Sequence, residues 1–135
     1  AINSIAGRAG YKKGQRLQDV IASSIRFALG IRDLKPENVK VRQRICDTQG
    51  EIGPKGTIYE YDIIIYNKTC FICEVKNEPK VSGDPRIVDD VVYFNMKAEF
   101  VKRKIGLKEA KKVLITLIKT PELEKKCKKF NIILI

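Results

Sequence analysis

The chain has 135 residues, 44% of them hydrophobic, enough for a single domain whose core folds without a disulfide or metal staple. Histidine is absent, which excludes histidine triads, histidine general acid–base chemistry and histidine metal ligands. The balance of 27 Lys+Arg against 16 Asp+Glu leaves a formal charge of +11, which suits a polyanionic partner and equally the lysine-rich solvated surface of thermophilic proteins.

The first residue is Ala1 rather than Met, as trimming or excision from a larger protein would leave it. The start is not signal-like, and no apolar run approaches the roughly 20 residues that span a bilayer, so a cytoplasmic protein with no membrane partner is expected. A basic, glycine-bearing segment, RAGYKKGQR, sets Arg8, Lys12, Lys13 and Arg16 near the head of a helix, a suitable place for nucleic-acid phosphates. Apolar residues at Leu17, Ile21, Ile25 and Leu29 predict a helix over Gln15 to Leu29, ended by Gly30. A strand over Val39 to Cys46 follows, then DTQGEIGPKG, a loop by its glycines and proline.

Two apolar strands come next, Ile58–Tyr66 and Cys70–Lys76, joined by a short turn centred on Asn67. Asp84 is placed to cap a helix with Pro85 in its first turn, running to about Ile105 with Ile87, Val91, Phe94, Ala98 and Val101 on one face. KKVLITLI reads as a buried strand, TPELEKKCKKF as a short helix capped by Thr120, and NIILI as a last strand. Within that helix, Lys125 to Lys129 reads as a solvated face that complements the helix C-terminus. The order α-β-β-β-α-β-α-β describes one α/β domain over 1–135, a mixed central sheet flanked by helices in which an antiparallel meander leads into a parallel crossover.

Of the four cysteines, Cys46, Cys70, Cys73 and Cys127, the Cys70–Cys73 pair lies three apart on a strand and so faces opposite sides. The pair is poorly arranged to share a zinc and is expected to pack as small hydrophobes.

The second and third strands carry Asp62, Glu74 and Lys76 beside apolar residues, where an unpaired charge costs several kcal/mol. Glu74 and Lys76 are two apart and share a strand face, and Asp62 on the preceding strand can come beside them. Two adjacent carboxylates repel, and a divalent cation relieves that repulsion. Hard oxygen ligands favour Mg²⁺ or Mn²⁺. A surface ion-pair cluster on an edge hairpin is the plainer alternative.

Asp62, eleven residues, then Glu74-Val75-Lys76 resembles the PD-(D/E)XK nuclease superfamily, and the order of elements is similar to its restriction-endonuclease-like core. The resemblance covers most of the chain. It extends to a mainly archaeal nuclease-like group in which the E-x-K strand precedes a helix with a D-x-x-x-F-x-x-K pattern, here Asp90, Phe94 and Lys97. The resemblance implies Mg²⁺ held by Asp62, Glu74 and the Val75 carbonyl, Lys76 at the attacking water, and hydrolysis of DNA phosphodiesters, with a two-fold dimer if both strands are cut. Two departures stand out. Gln18 occupies the first-helix position, four after Gly14, where many relatives carry a metal-binding Glu, with Asp19 next to it; Tyr61 replaces the proline before the first Asp. Asp90 and Lys97 also have a plainer reading, an intrahelical neighbourhood around a core Phe94.

Strand parity supplies a geometric condition. A two-residue Asn67-Lys68 turn makes the index sum of facing residues 135 and sends Asp62 to the face away from Glu74; a sum of 136 sets them opposite one another. The simplest turn giving the second register asks Thr69 to adopt the left-handed conformation, so a bulge or a wider loop is expected.

Overall fold

A computed structural model describes residues 24–107 and 109–135. Arg8, Lys12, Lys13, Arg16, Gln18 and Asp19, which carry the basic-segment and first-helix expectations, lie outside the described residues. Residues 24–29 are helical. Gly30, at φ +66, takes the left-handed position that ends a helix, and the Ile31 N–H donates back to the Arg26 carbonyl at 3.0 Å. This is the closing bond of a Schellman cap.

Among the described residues, five strands form one sheet in chain order: β1 (Val39–Asp47), β2 (Thr57–Ile65), β3 (Cys70–Val75), β4 (Ala110–Ile115) and β5 (Ile132–Leu134). β1, β2 and β3 are an antiparallel meander, while β3–β4 and β4–β5 are parallel. The parallel steps are bridged by α1 (Asp90–Lys104) and α2 (Pro121–Lys129). Both steps advance in the same direction across the sheet, and crossovers of one hand then set both helices on the same face. On that face Tyr59, Tyr61, Ile64, Ile72, Leu114 and Ile132 pack with Val91, Phe94, Ala98 and Val101 of α1 and Leu123 and Cys127 of α2. The other face buries Val39, Ile63, Ile65, Phe71, Cys73, Val113 and Ile115 against Ile25 and Leu34. Cys73 and Cys127 are thus core residues, and all four cysteines are free thiols. Among the described residues no helix is long and apolar enough to cross a membrane.

The cluster membership also shows that β2 changes face. Tyr59 and Tyr61 lie on the α1 side together with Ile64, whereas Ile63 and Ile65 face the other way. Strict alternation would put 61 and 63 on one side. The inversion centres on Asp62, and opposite it in β1 Arg42 stands at φ +54 inside a strand whose register with β2 is otherwise continuous. A non-glycine residue in that region costs about 1–2 kcal/mol.

The start of α1 and the end of β4 differ from the sequence expectation. α1 begins at Asp90 and is capped by Asp89, whose Oδ1 accepts the Val92 N–H at 2.9 Å. Asp84 instead closes a local turn with Arg86, accepting its backbone N–H at 2.9 Å and two guanidinium N–H groups, so Ile87 lies outside the helix and is half exposed. Asp89 wins the cap because the Lys126 ammonium of α2 and the Ser82 N–H hold its other oxygen, which compensates its burial. β4 stops at Ile115 rather than running through Ile118, since the N–H groups of Leu117 and Ile118 both turn to the Asn77 carbonyl at 3.2 Å. The Thr120 cap of α2 is as expected, its hydroxyl accepting from the Leu123 N–H at 3.2 Å.

Candidate active site

The β2–β3 ladder pairs Ile63 with Cys73, Ile64 with Ile72 and Ile65 with Phe71, an index sum of 136, so the next pair outward is Asp62 and Glu74. This is the register that brings the two carboxylates together. Thr69 is spared the left-handed conformation, since Arg42 and Asn131 are the non-glycine residues at positive φ among those described. The chain instead makes a wider loop over residues 66–69, in which the Cys70 thiol donates to the Asn67 carbonyl at 3.5 Å.

Beyond Ile63 the ladder between the strands gives way to side-chain bonding. Asp62 Oδ2 accepts the Val75 N–H at 2.8 Å. In an extended strand a residue's N–H and C=O point the same way, so the Val75 carbonyl is turned to the Asp62 side as well. Glu74, its side chain only 20% exposed, lies close enough to Asp62 for the two carboxyls to influence one another. Burial, and after it this contact, pushes the Glu74 carboxyl up to about 8, with Lys97 pulling in the opposite direction.

Lys97 is the counter-charge. Its side chain is 8% exposed, and its ammonium donates to the Glu60 carbonyl at 2.8 Å and to Glu74 Oε2 at 3.3 Å. It also lies 5.1 Å from the ring centre of Tyr61 and 5.6 Å from that of Tyr93. Tyr61 closes the arrangement by donating its hydroxyl to the Lys97 carbonyl at 2.7 Å; burial chiefly, and the nearby Glu74 charge, push that phenol well above its ordinary range. A buried ammonium needs this many acceptors and ring faces to be tolerated.

At the end of β3, Lys76 is half exposed and lies 3.3 Å from Asp90 Oδ1, while Asp90 Oδ2 accepts the Lys80 N–H at 2.6 Å. The helix pattern therefore works between elements. Asp90 holds Lys76, Phe94 is buried in the core, and Lys97 holds Glu74. The intrahelical Asp–Lys reading fails, because Asp90 and Lys97 are each paired with a residue of the β3 segment.

The donors fit a hard divalent cation. Two carboxylates and a backbone carbonyl are the oxygen ligands that Mg²⁺ takes, and Mg²⁺ commonly keeps several waters beside one or two carboxylates. Among the described residues no group of three or more His, Cys, Asp or Glu is placed to hold a metal, so Asp62 and Glu74 are the acidic part of the set. The sequence reading missed Tyr61, Tyr93 and the Glu60 carbonyl. A tyrosine four residues before Lys97 on the helix was the available signal for one of them. Compared with known proteins, the chain matches no family model and no curated sequence.

Proposed function

We propose that this protein is a Mg²⁺-dependent deoxyribonuclease that hydrolyses DNA phosphodiester bonds in the cytoplasm. The observation that carries the reading is the meeting of the Asp62 and Glu74 carboxylates across β2 and β3, in the register that the resemblance to PD-(D/E)XK nucleases requires. Asp62, Glu74 and the Val75 carbonyl would hold the cation, which when bound polarises a phosphodiester and offsets the charge developing on it. Lys97 keeps the Glu74 carboxyl in place and favours its ionised form; Tyr61 and the Glu60 carbonyl keep Lys97 in place. Lys76, aimed by Asp90, is the exposed donor at the end of the strand, suited to orient an attacking water and to meet a phosphate oxygen.

A second reading, a catalytically weak nuclease-fold module that binds nucleic acid or mediates assembly, is favoured by the small acidic set among the described residues and by the neutral Gln18. One experiment separates the two. Purified protein is incubated with Mg²⁺ or Mn²⁺ and a panel of linear, nicked and branched DNAs, alongside Asp62→Asn, Glu74→Gln and Lys76→Ala. The nuclease reading expects cleavage that each substitution abolishes, with DNA affinity kept within a few-fold. Binding without cleavage by the unaltered protein would leave the module reading in its place.

A further inference from the structure

We infer that Tyr93 is a stacking platform for an unpaired nucleobase beside the Asp62–Glu74 pair, so that the strand this protein takes is single-stranded or locally opened. The inference rests on the reading above that the site handles nucleic acid, and it adds the class of substrate.

α1 carries three aromatic residues. Phe94 and Phe100 are 2% and 1% exposed, whereas Tyr93 is 45% exposed. Its ring is nevertheless not loose. The Lys97 ammonium lies 5.6 Å from the ring centre, and that ammonium is itself held by the Glu60 carbonyl and Glu74. A ring fixed in this way loses little further freedom when a second flat group lies on it.

The same ammonium ties the ring to the chemistry. Lys97 is 3.3 Å from Glu74 Oε2, so the centre of the Tyr93 ring is within about 9 Å of that oxygen, the two distances laid end to end. Successive bases of one strand rise by about 3.4 Å, so this reach covers a phosphate at the carboxylates and a base one to three nucleotides away. The faces of paired bases are hidden in the duplex stack, and a ring on a protein surface meets them only where the strand is unpaired. With a net charge of +11 to attract the backbone, an exposed aromatic beside the site supplies the contact that distinguishes a base-bearing strand from a bare polyanion.

The plainer alternative is that Tyr93 only buttresses Lys97, four residues on in the helix, and a comparison of strands with and without bases distinguishes the two. The full chain in EDTA is titrated into a labelled 15-nucleotide oligothymidylate and into an abasic strand of equal length at low salt, with binding followed by fluorescence anisotropy. The unaltered protein is expected to prefer the base-bearing strand by about fivefold or more, the lower end of aromatic–base stacking. Tyr93→Ala should bring that ratio close to one while the abasic affinity stays within about twofold, and Tyr93→Phe should retain the preference. If Tyr93→Ala binds both strands with the original ratio, stacking is overturned and the nucleic-acid reading stands. If the unaltered protein binds neither strand, the inference and the reading it rests on fall together.

Discussion

Replacing Lys97 by methionine keeps the volume of the side chain and removes its charge, and the outcome depends on pH in a way the site geometry dictates. The ammonium makes a 2.8 Å bond to the Glu60 carbonyl, a 3.3 Å contact to Glu74 and two ring contacts, all with the side chain 8% exposed. Breaking a buried ion pair costs about 3–5 kcal/mol when the remaining partner stays charged. Glu74 has an escape, because its carboxyl is already pushed up to about 8 and takes a proton at little cost near neutral pH. At pH 6 the loss is then mainly hydrogen bonding and cation–π contact, about 2 kcal/mol. At pH 9 the unaltered protein has released the Glu74 proton, whereas the variant must either ionise the carboxyl without its counter-charge or hold the proton against the solution; one proton over about one pH unit adds about 1.4 kcal/mol, and the loss rises to about 3 kcal/mol. Urea unfolding at the two pH values measures the difference directly. A destabilisation equal at both, or under about 0.5 kcal/mol throughout, would refute the role of Lys97 as the counter-charge of Glu74.

Three further outcomes follow from the same contacts. Because the folded-state value of Glu74 is raised from 4.5 to about 8, the folded protein holds a proton in that window that the unfolded chain has released. Its contribution to stability therefore falls as pH rises from 4.5 to about 8, by at most about 1.4 kcal/mol per pH unit, and Glu74→Gln should remove that slope in denaturation curves taken across the window. Asp90→Asn leaves Lys76 without its carboxylate partner and should lower cleavage about 10–100-fold with DNA affinity nearly unchanged, as single-turnover rates and anisotropy would show. A Cβ on Gly53 would overlap the Tyr59 hydroxyl, so Gly53→Ala should cost about 1–3 kcal/mol in urea unfolding, and an unchanged midpoint would mean the loop yields freely.

The order of elements was legible because it rests on short-range chemistry. Alternating or helical apolar spacing marks strands and helices within a few residues, and Gly30 and Thr120 end and begin helices through their own backbone or side chain. Parity arithmetic on β2 and β3 narrowed the site to two registers, and the awkward fit of Thr69 to a tight turn pointed to a bulge or a wider loop, of which the structure has the loop.

What the sequence left open are choices made by residues far apart in the chain. Asp84 was the cap the sequence suggested, and the selection of Asp89 instead depends on Lys126, 37 residues on, covering its charge. The end of β4 depends on the Asn77 carbonyl, just past the end of the neighbouring β3 and about 40 residues back in the chain. The spacing of Asp90, Phe94 and Lys97 showed that they share a helical face, but not that the face docks over β3, where Asp90 meets Lys76 and Lys97 meets Glu74. A side chain's local propensity carries no information about which distant charge will compensate its burial. That is decided when the helix packs on the sheet and each buried ion must find a partner or give up its charge.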